Sequence, residues 1–370
     1  MRRVSIPEHM LLTIPVLFAV VIVSILFTAG CQDEFDLATL PQPVDVLVDT
    51  SYVELEPPFV GFTQPEDLLI GNDQLIYVAD TKANRVVMMN RAGQVLSTRS
   101  MQHPLALAQD SRLDLLVGGE VTMVNGDTAG AVFRLHLVSA SGDSAHRLEV
   151  APIDTVWIEY ARPHRRFPGI AVFGDNNYLV VRTGTDNSSV IDPDARVLLF
   201  SGEDVFVTPL SAFATRTGSG ITDINKPTAI AAFPGQKDFI LTQSSEGVSY
   251  GALWMRFEQT ADFDGWLPRF DPAKPEERGV DFIRPNRYDL PEAVAIDRNR
   301  RDVFIADAGL DSVVKFNSRG AFRNESFGLV RSNGRMRQPS GLAYFEKVLY
   351  VLDREQGLVL RFRLSTDVPR

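Results

Sequence analysis

The sequence predicts an all-β fold, a six-bladed β-propeller with four-stranded blades, and three observations lead to this prediction. A phrase of sequence recurs along the chain, the apolar runs within each copy are short, and no apolar period of 3.6 continues beyond the N-terminal segment. Recurrence at this spacing marks an architecture built from one repeated unit. Short runs rich in Val, Ile, Leu and Phe, separated by Asn, Asp and Gly, are typical of strands joined by turns.

Each unit opens with a proline and continues through three apolar runs and a weaker fourth. The opening prolines are Pro65, Pro104, Pro168, Pro227, Pro291 and Pro339. In the three most similar units the second run ends in an aspartate, at Asp80, Asp307 and Asp353. Six such units predict six blades, because a ring of blades leaves only short strand edges unpaired.

The ring also has to close. The last unit ends with its third run at 362–364, so we expect the outer strand of the last blade to come from residues 44–55, upstream of the first unit. Pairing the two ends of the chain in one blade would remove an open sheet edge and hold both termini.

The strong units resemble the NHL repeat family, over roughly residues 63–364. The resemblance rests on the opening proline, the aspartate after the second run, and the turns at 90–93 and 317–320. It implies a propeller but leaves the activity open, because such propellers serve as binding platforms and as enzymes. In that family the aspartate is mostly structural, so we expect Asp80, Asp307 and Asp353 to cap loops rather than to contact a ligand.

Residues 1–30 have the design of a secretory signal, with Arg2 and Arg3 before an apolar stretch at 10–27. The small residues before Cys31 resemble the lipobox of bacterial lipoproteins, although Thr28 stands where that family prefers Leu, Val or Ile. The resemblance implies cleavage before Cys31 and lipidation of its thiol. Cys31 is the only cysteine of the sequence, as expected if its thiol is consumed by lipid. The alternative is an uncleaved membrane-spanning helix.

These signals predict three parts: a lipoprotein signal peptide at 1–30, a proline-containing tether at 31–43, and the propeller at 44–370. The lipid on Cys31 would make the membrane a partner. Gln32 stands where enterobacterial lipoproteins kept in the inner membrane carry Asp. That difference favours the outer membrane, facing the periplasm or the cell surface.

The charge of the chain argues against nucleic acid as a partner. The formal net charge is −10, and no Lys/Arg stripe interleaved with aromatic residues offsets it. An acidic surface repels phosphate backbones.

A ligand or partner is expected on one face of the ring. In a propeller, the loop between the second and third strands and the passage to the next blade open on the same face. Units two to four are long at both places. Their predicted loops lie at 118–130, 183–195 and 243–251, and the passages at 153–167 and 211–226. Binding residues concentrate in such loops.

Most candidate ligand-binding residues belong to a basic cluster in these loops, because guanidinium groups suit a carboxylate or phosphate ligand. The favoured alternative is a solvated loop that pairs with local acids. His103 directly precedes a blade-opening proline, and Trp266 belongs to an aromatic passage at 259–287 that would form a lid or partner patch, or else a structural insertion. The candidates are His103, Arg162, His164, Arg165, Arg166, Arg182 and Trp266.

Catalysis is not favoured. The peptide-amidating lyase related to NHL propellers holds zinc through histidines at the mouths of separate blades, and only His103 occupies the matching position here. Residues 184–194 are rich in oxygen ligands but fit no calcium loop. The sequence has no G-x-S-x-G motif or phosphate-binding glycine loop. We therefore expect no catalytic residue, metal or cofactor, with calcium and zinc unsupported.

The leading hypothesis is a non-catalytic cell-envelope lipoprotein that binds a protein, peptide or glycan on the long-loop face. The alternative is a metal-dependent hydrolase or lyase, either lactonase-like or similar to the peptide-amidating lyase, with its site at the channel mouth.

Overall fold

The computed structural model describes residues 50–138, 146–210, 223–243, 248–271, 279, 281–328 and 336–368. The predicted signal segment, Cys31, the predicted tether and residues 211–222 of the 211–226 passage lie outside these residues. Contacts divide the chain into two units, Met1–Val48 and Asp49–Arg370, and the described residues belong to the second. Within them, no helix has the length and apolar character needed to cross a membrane.

Strands dominate and form six antiparallel sheets, so the six-bladed propeller prediction is confirmed. The described chain begins with β1 (Tyr52–Glu54) and β2 (Phe59–Val60). Blade one consists of β3 (Asp67–Ile70), β4 (Ile76–Asp80), β5 (Arg85–Met89) and β6 (Val95–Ser100). Blade two consists of β7 (Ala106–Gln109), β8 (Leu115–Thr122), β9 (Thr128–Leu135) and β10 (Ile153–Ile158). Blade three consists of β11 (Arg166–Val172), β12 (Tyr178–Thr183), β13 (Arg196–Phe200) and β14 (Phe206–Pro209).

The remaining blades follow the same plan. Blade four consists of β15 (Pro227–Ala232), β16 (Phe239–Gln243), β17 (Ala252–Gln259) and β18 (Asp264–Pro268). Blade five consists of β19 (Pro291–Ile296), β20 (Val303–Asp307), β21 (Ser312–Phe316) and β22 (Phe327–Gly328). Blade six consists of β23 (Pro339–Phe345), β24 (Val348–Asp353) and β25 (Leu358–Leu364), with β1 and β2 on its outer edge. Short 3-10 turns occur at Leu148–Val150 and Ser365–Asp367.

The strands of a blade are buried to different extents, and their sequence patterns differ accordingly. The second strand of a blade, such as β4 or β20, is buried at every position because neighbouring blades cover both of its faces. Its sequence is therefore a continuous apolar run rather than an alternating one. Outer strands such as β14 are largely exposed.

The first strands of all six blades line a central channel of about 210 Å³. Small residues let these strands approach one another. A Cβ atom at Gly169 would lie 3.1 Å from the Ile230 amide nitrogen, and one at Gly341 would lie 2.9 Å from the Leu68 amide nitrogen. Bulky side chains at these two positions would therefore push neighbouring blades apart.

The ring closes as predicted, with β1 on the outer edge of blade six. Tyr52 is opposite Leu364 and Glu54 is opposite Phe362, while β2 covers the other half of β25. The predicted residues 44–49 lie outside the described part of the chain. The Tyr52 ring is buried between blades, 5.3 Å from the Phe327 ring of blade five.

The aspartates after the second strands are structural, which confirms the capping prediction. All three are fully buried. Asp80 accepts the Thr63 amide at 2.6 Å, and Asp353 accepts the Arg337 amide at 2.6 Å, so each ties the incoming loop to the end of the second strand. In blade four Gln243 does the same for the Asn225 amide, at 2.9 Å.

The turns predicted at 90–93 and 317–320 are also confirmed. Asn90 Oδ1 accepts the amides of Ala92 and Gln94 at 3.0 Å, and Asn317 makes the equivalent bonds in blade five. Gly93 has φ 82°, a conformation that glycine adopts without steric cost.

Two loop predictions were wrong in extent. Most of 118–130 is strand, because β8 and β9 extend beyond the rest of their sheet and pair to Thr122↔Thr128. Val and Thr in these extensions favour strand, and the tight turn at Gly126 joins them. The 153–167 passage begins with β10, the outer strand of blade two.

Tyr52→Ala should lower the free energy of unfolding by about 3 kcal/mol or more, because it removes a buried ring from the closing strand. Tyr52→Phe should be neutral or slightly stabilising, since the Tyr52 hydroxyl has no hydrogen-bond partner among the described residues. Chemical denaturation measures both.

The matched control is Val53→Ala on the same strand, whose side chain is 38% exposed. Equal losses for Tyr52→Ala and Val53→Ala would contradict the closing role of the buried ring.

Candidate functional site

The strongest candidate site is a cavity of about 520 Å³ at the mouth of the channel, which we call the mouth cavity. It lies at the end where the first strands begin, and every blade contributes to its lining. It shares Asp67, Pro168 and Ala229 with the channel. Its charged lining residues are Glu66, Asp67, His164, Arg166, Lys226, Glu292 and Arg354.

A local backbone feature brings side chains to this mouth. In four blades the residue before the opening proline adopts a left-handed conformation with φ between 44° and 47°. These residues are Gln64, His103, Lys226 and Gln338. The proline then starts the first strand, and the residue after it lines the cavity in blades one, four, five and six. Those residues are Glu66, Thr228, Glu292 and Ser340.

One side of the mouth cavity holds two carboxylates that share one guanidinium. Arg354 Nη2 lies 2.5 Å from Glu66 Oε2 and also contacts Glu292 Oε2. Burial raises the pKa of Glu66 to about 7, despite the opposing charge of Arg354 and with a further contribution from the negative charge of Glu292. Because two carboxylates share one guanidinium, Arg354 neutralises only one of their two negative charges when both are ionised.

Asp67 has a structural role next to them. Its carboxylate accepts the Leu68 and Leu107 amides, each at 2.7 Å, and so joins blades one and two. Burial raises the pKa of Asp67 to about 6, and the two amide bonds limit the rise.

The other side of the mouth cavity is basic. His164 Nε2 lies 2.7 Å from Asp194 Oδ2, and Arg166 Nε lies 2.7 Å from Glu120 Oε1. Lys226 is exposed, and its ammonium makes no ion pair or hydrogen bond within the described ranges.

His103 stands at the rim beside this basic side. Its Nδ1 lies 3.1 Å from Glu120 Oε1, the carboxylate oxygen that Arg166 also contacts. Its amide is held by Asn84 Oδ1 at 2.9 Å. His103 and Arg166 are thus brought together by one glutamate from the extended β8–β9 hairpin.

The remaining predicted arginines form a buried ion network. Arg165 and Arg182 are only 2% and 4% exposed. Arg165 Nε lies 2.8 Å from Asp194 Oδ1, and Arg182 Nη2 lies 2.5 Å from Asp192 Oδ1. Both guanidinium groups also contact Glu159. Both arginines pair with local acids, as the favoured alternative predicted, but they are buried rather than part of a solvated loop.

The network lowers the pKa of Asp194, as expected for a carboxylate held in strong ion pairs. Burial alone would raise the pKa of Asp194, but hydrogen bonds from Arg165, the Asp186 amide and His164 hold it well below its usual range. Arg162 joins at the exposed edge, 3.4 Å from Asp194 Oδ1. The oxygen-rich segment at 184–194 thus supplies partners for arginines.

Trp266 lies away from the mouth cavity. It is on β18, and its indole donates to the Lys237 carbonyl at 2.6 Å, in the turn at the far end of blade four. Further along the 259–287 passage, Phe282 packs between blades four and five as a structural insertion would, whereas 261–263 and 284–286 are exposed. Phe282 is fully buried, 5.4 Å from the Trp254 ring of blade four and 5.1 Å from the Phe316 ring of blade five.

Sequence reasoning missed the acidic side of the mouth cavity. Glu66 and Glu292 directly follow opening prolines in two of the strong units, whereas the third has Ser340. A glutamate at the same place in two repeats was an available signal. Arg354 follows the repeat aspartate Asp353, and only the folded ring places it against Glu66.

Groups of three or more His, Cys, Asp and Glu side chains suited to a metal ion do not occur in the described part of the chain.

Arg165→Ala should lower the free energy of unfolding by about 3 kcal/mol or more, because it removes the closest guanidinium partner of the buried Asp194 and one of the two guanidinium contacts of Glu159. Arg162→Ala, the matched control at the exposed edge, should cost about 1 kcal/mol or less. Denaturation at several pH values measures both.

The pH dependence follows from the lowered pKa of Asp194. Its stabilisation is fully present above the ordinary carboxyl pKa of about 3.9 and is lost as the pH falls through the lower folded value, so the stability difference between the two proteins should begin to narrow below about pH 4. An Arg165→Ala variant as stable as the wild type at pH 7 would contradict the structural role.

Solved propellers resemble this ring in fold. A glucose dehydrogenase has a TM-score of 0.56 at 11% identity, covering 85% of this chain and 99% of that one. A gluconolactonase from Xanthomonas campestris has a TM-score of 0.54 at 12% identity, covering 85% and 97%. An auxiliary nutrient binding protein from Bacteroides thetaiotaomicron has a TM-score of 0.56 at 13% identity, covering 82% and 70%.

No protein-family model matches the sequence, and no curated protein is similar to it in sequence. At such low identities the structural likeness establishes the fold alone. The chain is a six-bladed β-propeller whose structural neighbours include both enzymes and a binding protein.

Proposed function

We propose that this chain is a lipid-anchored protein of the bacterial cell envelope whose NHL-like propeller binds a protein, peptide or glycan at the mouth cavity without chemically changing it. The observation that carries the proposal is the mouth cavity itself. Its volume of about 520 Å³ lies within the range of about 300–1,000 Å³ typical of ligand sites. Its lining combines charges of both signs that are not fully paired with one another.

The proposed anchor rests on Cys31 and on the segment that follows it. Residues 32–49 separate this cysteine from the first described residue, and the chain then leads into β1 of the closing blade. The proposed tether at 31–43 would connect the lipid on Cys31 to the propeller through a short proline-containing segment. An anchor of more than one acyl chain is stable where a single chain is marginal. We propose the outer membrane as its location, facing the periplasm or the cell surface.

One observation favours the second candidate, a hydrolase or lyase with its site at the channel mouth. The pKa of Glu66, raised to about 7 by burial, lies near the working pH expected of a general base. We rank this candidate second because Glu66 is already held by Arg354, and because Glu292 shares the same guanidinium.

The anchor is tested by Cys31→Ser in the full chain. The wild type should partition into detergent with an acylated N-terminal cysteine, and the variant should not be acylated at residue 31. Mass spectrometry of the N-terminal peptide and phase separation measure this. A wild-type chain that retains residues 1–30 without acylation would favour the uncleaved helix instead.

The binding function is tested with the full chain in detergent on glycan and peptide arrays. Lys226→Glu should weaken binding of a ligand that places a negative charge in the mouth cavity by about tenfold or more, because it reverses a lining charge that has no ion-pair partner among the described residues. Lys237→Glu is the matched control, an exposed lysine at the other end of blade four.

Mass spectrometry of the recovered ligand separates the two candidates. An unchanged ligand agrees with a binding protein, and a cleaved or isomerised ligand would overturn the non-catalytic proposal. Equal loss of binding in both lysine variants would overturn the assignment of the site to the mouth cavity.

A further inference from the structure

We propose that the mouth cavity recognises a zwitterionic ligand, a short peptide with a free amine and a free carboxylate. This inference rests on the proposed binding function and narrows its ligand class. The ligand's ammonium would lie against Glu66 and Glu292, and its carboxylate would face Lys226.

The acidic side of the mouth cavity carries an imbalance of charge. Two glutamates contact a single guanidinium, so when both are ionised the trio carries one uncompensated negative charge. Their side chains are only 29% and 15% exposed, and water therefore screens this charge poorly. A ligand ammonium would supply the missing positive charge, and ammonium-to-carboxylate hydrogen bonds are among the stronger ones in proteins.

On the basic side, Lys226 is the one lining cation that has no ion-pair partner among the described residues. Arg166 and His164 are already occupied by Glu120 and Asp194. Lys226 is exposed and, within the described residues, makes no ion pair. A ligand carboxylate would therefore find its partner at Lys226.

The acidic trio and Lys226 line one cavity, and its remaining lining residues are largely small or apolar. Leu105, Pro168, Pro227 and Ala229 complete the walls between the two charged sides. Such walls suit the short side chains and peptide backbone of a ligand that is charged at its ends. A neutral sugar would leave the acidic trio and Lys226 uncompensated.

The test is isothermal titration of trialanine into the full chain in detergent, at pH 7. Trialanine should bind, and N-acetylation or C-terminal amidation should each weaken binding by about tenfold or more. The Lys226→Gln variant should bind free and C-terminally amidated trialanine with equal affinity. Gln64 and Gln338 occupy the same left-handed position in blades one and six, so glutamine fits the backbone there.

Glu292→Gln should remove most of the discrimination against the acetylated peptide, and Glu66→Gln provides a second variant in case Glu292→Gln disturbs Arg354. Lys237→Gln, at the other end of blade four, should change neither preference.

A proton-linked signal supplies a separate readout. Arg354, Glu292 and Asp67 surround Glu66, whose pKa of about 7 leaves it partly protonated at pH 7. A bound ammonium would favour the ionised form, so binding should release protons. Titrations in two buffers of different ionisation enthalpy measure this release, and Glu66→Gln should abolish it.

The outcomes separate this inference from the function on which it rests. If trialanine fails to bind at millimolar concentration while a neutral trisaccharide binds in a Lys226-dependent manner, the zwitterion inference is overturned and the binding function stands. If no peptide, glycan or protein binds at the mouth cavity, both fail. Equal affinity for free and capped trialanine would also overturn the inference.

Discussion

Closure of the ring is the constraint on which the rest of the structure depends. The edge of β25 is satisfied only when β1 and β2, from the other end of the described chain, pair with it. The buried Tyr52 ring of this edge packs against the Phe327 ring of blade five. Each blade alone would expose two sheet faces and an outer edge, so the six units gain their stability from their neighbours.

The same closure builds the candidate site. Blade one meets blade six where the Ser340 hydroxyl donates to the Pro65 carbonyl at 2.9 Å and where Arg354 contacts Glu66. Residues 66 and 354 are far apart in sequence, and only the closed ring makes them neighbours. The acidic side of the mouth cavity is therefore part of the seam, which links the stability of the ring to the geometry of the site.

Charge is distributed unevenly over the long-loop face, and burial explains how. Deep in blade three, Arg165 and Arg182 are paired with carboxylates, because a buried guanidinium without partners would be strongly destabilising. The mouth cavity is more open to solvent and tolerates incomplete neutralisation, as at Lys226 and the Glu66–Arg354–Glu292 trio. Groups left with unused charge are the ones that can bind a ligand, which is why we place the function there rather than in the larger arginine cluster.

The sequence predicted the features that repeat and missed the ones that depend on long-range contact. The opening prolines, the capping aspartates and the Asn90 and Asn317 turns are local, so blade number and closure could be predicted from them. Arg165 and Arg182 pair with aspartates of a separate loop. Arg354 contacts Glu66 only because ring closure brings blade six against blade one. The β8–β9 extension lies where the sequence predicts a loop at 118–130. Its glycines allow close backbone contacts that the sequence alone does not reveal, such as that of Gly130 with the Arg165 carbonyl.

The central claim is that closing the ring creates a ligand site at its seam. A crystal structure of the full chain grown with trialanine tests this claim most directly. The account predicts the peptide in the mouth cavity, with its amine in hydrogen-bond contact with Glu66 or Glu292 and its carboxylate directed to Lys226. An empty mouth cavity with the peptide bound elsewhere on the ring would contradict it.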